Sequence, residues 1–293
     1  MKLEFKSARG DILTLSENEY FYISNIDGMT SGTASVSSTV TSGLDGDDVT
    51  IIQTQPRPMI IDLTIKPDIE VEKAKREITK VVKLKQRGAL IWTQQDRVLT
   101  ITGVVESIDM PRWNNAVVLQ IILHCECPYW EDVDAFVSQI NEAISLHYFT
   151  NYNANMLYFP ESGIPFGEYD TIRTRTVYNG GDVETGIEIT IKALDTVTNP
   201  IIYDGNGNYF GIGYDPAGDV NKSFYMKAGE TVVITTHRGN KTVTKNGISL
   251  LPLIKPNSKW LQLETGDNTF TINSDDESIK NMYFNISFKR RFI

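Results

Sequence analysis

The chain has 293 residues, 41% hydrophobic and 22% charged, with a formal net charge of −9 at neutral pH. This is the balance of an ordinary globular protein, and at about 150 residues per domain the length favours two domains. The negative charge argues against non-specific nucleic-acid binding, which needs a basic face to displace counterions, and against adsorption to an anionic membrane.

The opening stretch, MKLEFKSARGDILTL, lacks the apolar core of a secretory signal, and no apolar run approaches the roughly 20 residues of a spanning helix. The expectation is a chain made in a cytoplasm, with its two thiols reduced. DILTL and YFYISNI read as short strands. MTSGTASVSSTVTSGLDGDD, from Met29 to Asp48, is too polar to bury and too β-branched for a helix. It reads as either a mobile loop or a hairpin ordered by a neighbour. VTIIQTQPRPMIIDLTI resumes strand character, with Pro56 and Pro58 marking an edge or a bulge.

Val71, Ala74, Ile78, Val81 and Val82 then fall at helical spacing, with Pro67 and Asp68 at the start and Gly88 past the end. RVLTITGVVESIDMPRWNNAVVLQIILHCECP predicts two strands about a turn near Met110 to Asn115. Val133, Phe136, Val137, Ile140 and Ile144 predict a second amphipathic helix. TNYNANMLYFPESGIPFGEYD breaks this pattern and sets a domain boundary near Thr150. Beyond it, TIRTRTVYN, TGIEITIKA, ETVVITTH, KTVTKNG, WLQLETGDNTFTI and MYFNISFKRRF alternate apolar and polar residues between turns. That spacing predicts an antiparallel sandwich or jelly roll.

Chemistry needs a constellation, and the sequence offers none. His124, His147 and His237 lie in different elements, and HCEC, with Cys125 and Cys127, has no second Cys/His cluster to complete a zinc site. Small thiols packed beneath a sheet are the simpler reading. DGNGNYFGIGYD, Asp204 to Asp215, has the look of a calcium loop. It carries Tyr209 where that loop needs glycine and Asp215 where it needs glutamate, so a β-turn is preferred. TSGLDGDD is read as a solvated turn. Tyr148, Phe149, Tyr152, Tyr158, Phe159, Phe166 and Tyr169 gather around the boundary, suited to sugar stacking or to a domain or subunit contact. Trp260, followed by Leu261 and Leu263, reads as core. No catalytic residue, cofactor site or metal site is expected.

The second half resembles the C-terminal domain of the siphophage distal tail protein family, often called Dit. The resemblance is carried in order by YFPESGIPFGEYD, VYNGGDVETGIEITI, TNPIIYDGNGNYFGI, MKAGETVVITTHRGNKTVTKNG, WLQLETGDNTFTI and MYFNISFKRRFI. In the first half, ISNIDGMTSGTASVSSTVTSGLDGDDV is similar to the region before the family's Asp-Gly turn. CPYW, Cys127 to Trp130, is similar to its step into the linker.

The resemblance implies a mainly β protein, to which the periodicity adds the two helices. Residues 1–150 would be an α+β, sandwich- or barrel-like ring domain, and residues 151–293 a galectin-like antiparallel sandwich projecting outward. It further implies a structural, non-enzymatic role in a hexameric ring at the tail tip of a phage, a defective prophage or a tail-like bacteriocin. The implied partners are the tail tube protein, a tail-associated lysin or fibre base, and a host-surface glycan.

Met29, Val36, Val40, Leu44, Gln55, Pro56 and Pro58 read either as a subunit contact by β-augmentation or as plain surface loops. The alternative is a carbohydrate-binding module or adhesin recognising cell-surface glycans, against which the missing secretion signal counts.

Overall fold

The computed structural model describes residues 2–30, 32–43, 45–109, 118–140, 143–144, 168–169, 174–213, 224–275 and 281–293. Two compact units result: Met1–Asp134 together with Arg291–Ile293, and Ala135–Arg290. The stretch around Thr150, where the sequence pattern breaks, lies outside the described residues, as do most of its aromatic residues.

In the first unit the strands are β1 (Lys2–Ser7), β2 (Ile12–Thr14), β3 (Phe21–Asp27), β4 (Ala34–Thr39), β5 (Asp48–Thr54) and β6 (Arg57–Ile65). Helix α1 (Val71–Val81) follows, then β7 (Arg87–Gln94), β8 (Arg97–Asp109), β9 (Val118–Cys125) and β10 (Trp130–Asp132). The main sheet is antiparallel in the order β2-β1-β7-β8-β9-β6-β3. Strict alternation fixes which face is dry: in β6, Met59, Ile61, Leu63 and Ile65 are buried while Pro58, Ile60, Asp62 and Thr64 are less so. Ala74, Ile78 and Val82 of the helix join those side chains, with Leu3, Phe5 and Leu90, in one core.

The helix starts after Glu70, keeps Glu72 in its first turn and Lys80 in its last, and ends where Val82 turns extended. Gly88 does not cap it. It sits in β7, where an added Cβ would run into the Phe5 ring, so this position must stay bare.

The second unit holds β11 (Phe136–Ile140), β12 (Ala143–Ile144), β13 (Glu168–Tyr169), β14 (Thr174–Asn179), β15 (Thr185–Ala193), β16 (Val197–Asp204), β17 (Tyr209–Gly211) and β18 (Tyr225–Met226). It continues with β19 (Thr231–His237), β20 (Asn240–Lys245), β21 (Ile248–Ser249), β22 (Gln262–Leu263), β23 (Gly266–Asp275) and β24 (Met282–Phe288). The last strand of the chain, β25 (Arg291–Phe292), belongs to the first unit and pairs with β10. One sheet runs β11-β24-β15-β19-β20-β21 and a second runs β14-β23-β16-β17.

Ile187, Ile189 and Ile191 of β15, Phe284, Ile286 and Phe288 of β24, and Phe270 and Ile272 of β23 share one core, which makes this unit a sandwich. Its turns follow local chemistry. Between β20 and β21, Asn246 and Gly247 both take positive φ, as a two-residue hairpin turn of type I′ requires.

Where a second helix is expected over Val133 to Ile144, the described residues hold strands β11 and β12 instead, leaving α1 as the one α-helix among the described residues. β11 pairs with β24 from Phe136↔Phe288 to Ile140↔Phe284. The Phe136 ring stacks on Phe288 with centroids 5.8 Å apart, and the Arg290 guanidinium lies 4.2 Å from its centre. A short β-branched and aromatic run satisfies both periodicities, and the open edge of β24 decides between them.

Trp260 packs on Phe210 at 4.9 Å between ring centroids and leans on the sandwich core while staying half-buried. Trp260→Ala should therefore cost about 3 kcal/mol, the low end for large aromatic truncations. Urea denaturation checks this; a variant as stable as the parent would remove the ring from the core account.

Candidate subunit-contact site

Strands β4 and β5 form a sheet of their own. They pair from Ala34↔Thr54 to Thr39↔Asp48, with a bulge between Ser37 and Ser38. Every residue of both strands is exposed. Val36 and Ile52 stand opposite each other, 58% and 68% exposed, and Val49, Ile51 and Val40 are open as well. Serine and threonine between them keep the ribbon paired without a core: Thr50 Oγ1 donates to the Ser37 carbonyl at 2.9 Å, and Gln55 Nε2 to Ser35 Oγ at 2.6 Å. From Thr33 to Gln55 the segment carries Asp45, Asp47 and Asp48 and no lysine or arginine. A two-stranded ribbon is marginal in water, and this one presents two free edges and apolar side chains.

The root of the hairpin is better held. Gln55 N–H donates to the Thr33 carbonyl at 2.8 Å. Trp130 Nε1 and Arg57 Nη1 both donate to the Met29 carbonyl, at 3.0 and 3.3 Å. Arg57 is only 3% exposed, and burial lowers its pKa, with Cys125, Tyr129 and Cys127 nearby acting the other way.

Of the residues singled out in the sequence, Val36 and Val40 project from the ribbon, while Gln55 and Pro56 stand at its root. Met29 packs half-buried against the core of the first unit. Leu44 lies outside the described residues. Pro58 is in β6, which is interior in strand order. It lies past the last β3–β6 pair, Asp27↔Ile60, where a missing N–H breaks no bond to β3. Sequence reasoning missed Val49, Ile51 and Ile52, whose signal was a β-branched run facing a serine-rich one.

The other motifs resolve into structure. The Asp204 carboxylate accepts from the N–H groups of Asn206 and Asn208, at 3.0 and 2.7 Å, and from Asn208 Nδ2 at 2.8 Å. It closes the β16–β17 turn with its own neighbours. His124 is exposed while Cys125 is buried, and burial pushes the Cys125 thiol up to about 12. Among the described residues no group of three or more His, Cys, Asp and Glu could hold a metal ion. No described helix is long and apolar enough to cross a membrane.

One unit is two sheets over one core, and the other is a sheet with a helix that carries an exposed ribbon. Residues 180–292 match the family model SPP1_Dit, the C-terminal domain of a siphovirus-type tail component. The crystal structure of the Dit protein (gp 19.1) of phage SPP1, described as a paradigm of the hub adsorption apparatus in phages infecting Gram-positive bacteria, is similar over 99% of both chains. Its TM-score is 0.69 at 12% identity. A chain of the phage p2 baseplate in its strontium-bound activated conformation is also similar, over 99% of this chain and 97% of that one, at 11% identity and a TM-score of 0.49. No curated protein sequence matches. Residues 180–292 thus match the C-terminal domain of a siphovirus-type tail component, and the chain as a whole shares the fold of the SPP1 Dit protein.

Three outcomes follow from this chemistry. Near neutral pH one thiol, Cys127, should react readily with a disulfide reagent in the folded protein, and two after denaturation. Two fast thiols in the folded protein would contradict the burial of Cys125. Its folded pKa is raised from about 9, so the stability it lends is complete at neutral pH and is lost as pH climbs from about 9 towards 12. EDTA should leave the melting temperature unchanged; a fall of several degrees would mean that a metal site exists.

Proposed function

We propose that this chain is the subunit of a hexameric ring at the distal end of a phage tail. In this reading the first unit forms the ring, and the Ala34–Thr54 hairpin is its main contact with the next copy. The ring joins the tail tube protein on one side to a tail-associated lysin or receptor-binding apparatus on the other, and a host-surface glycan is a further partner. The observation that carries the reading is the hairpin: a ribbon exposed at every position, apolar in part and free on both edges. Repetition of one heterologous patch closes a ring, and strand edges are ready partners for that patch.

The full chain tests it. Val36→Lys with Ile52→Glu, which sets opposite charges at facing positions, should leave the melting temperature close to the parent's, since surface changes stay within about 0.5 kcal/mol. Mass photometry at rising concentration, with tube protein added if the parent alone stays monomeric, should show the parent assembling and the variant remaining a monomer. Equal assembly by both proteins would remove the hairpin from the interface.

A further inference from the structure

The dipeptide Tyr129–Trp130 holds the chain on both sides of the hairpin. Trp130 Nε1 reaches the Met29 carbonyl, ahead of β4, at 3.0 Å. Tyr129 OH shares a 3.1 Å hydrogen bond with Thr54 Oγ1, at the end of β5. The chain is therefore held once ahead of the ribbon and once at its end, and both holds come from neighbouring residues of one short segment.

That segment is itself immobilised. Trp130 is 1% exposed, tilts against Trp92 with ring centroids 5.7 Å apart, and pairs with Phe292 in the β10–β25 ladder. Phe292 lies under the Arg97 guanidinium, 4.1 Å from its ring centre. Arg291 Nε meets Glu131 Oε1 at 2.8 Å, with the Arg291 side chain 13% exposed. A ribbon tied to its domain by two chain ends swings about its root. A hydrogen bond on the chain ahead of β4 and another at the end of β5, both made to a rigid base, restrict that freedom before any partner arrives.

We propose that Tyr129 and Trp130 are positioning residues that set the direction in which the Ala34–Thr54 hairpin leaves the first unit, with strand Arg291–Phe292 locking them in place. The purpose, pre-aiming the ribbon for a second copy of the chain, rests on the subunit-contact reading above. The clamp itself does not.

The test measures the ribbon's spread in the monomeric full-length chain. Spin labels are placed by Val49→Cys and Thr102→Cys with Cys127→Ser, while Cys125 stays buried and unlabelled. Tyr129→Phe with Trp130→Phe removes the two hydrogen-bonding groups of the dipeptide and keeps aromatic rings, leaving Arg57 Nη1 as the remaining, longer donor to the Met29 carbonyl. The pulsed-EPR distance distribution should broaden about twofold or more, as expected when an anchored segment is freed. Each single variant should broaden it less. Thr54→Val with Trp130→Phe reaches the same end from the exposed side, should the first pair fail to fold. An unchanged distribution in a folded double variant overturns the proposal. A broadened distribution with undiminished assembly upholds the clamp and overturns the subunit-contact reading instead.

Discussion

Backbone N–H and carbonyl groups along a strand edge need partners, and a ribbon of two strands cannot give itself a dry face. This constraint orders the molecule. Wherever the chain supplies further strands, the edges are used and a core follows, as in the sheet around β8 and the sandwich around β15. In the segment from Thr33 to Gln55 the chain supplies two strands and stops. Among the described residues its outer edges take no further strand, and its valines and isoleucines stay exposed.

The same constraint explains the ends of the fold. β10 is only three residues long, yet it pairs with β8 and also receives β25, which comes from the far end of the sequence. Trp130 and Phe292 are buried side by side because of that pairing. The first unit thus includes residues from both ends of the described chain, and the hairpin root is anchored to the strand where they meet.

Much of this was legible in the sequence and some was not, for physical reasons. Helix α1 was readable because eleven residues repeat at 3.6 with an acidic start and a basic end. The strands after Thr174 were readable because alternation and Asn-Gly turns are local. β11 was misread because five residues do not separate the two periodicities, and its pairing with β24 bridges most of the second unit. Which strands adjoin is a property of distant pairs, so strand order was beyond reach. At the candidate site, the serine-rich half of the ribbon stood out and Val36 and Val40 with it. Ile51 and Ile52 looked like the start of an ordinary buried strand. CPYW was noticed as a pattern, but nothing local announces that its tyrosine and tryptophan reach Thr54 and Met29.

The central claim is that the hairpin seeks a second copy of this chain. A photoreactive amino acid at Ile52, in full-length protein brought to a state that mass photometry shows to be assembled, tests it most directly. Mass spectrometry of the cross-linked peptides should find Ile52 joined mainly to a neighbouring copy, which mixed isotope-labelled and unlabelled chains distinguish. Cross-links confined to one chain, in a sample that is demonstrably oligomeric, would contradict it.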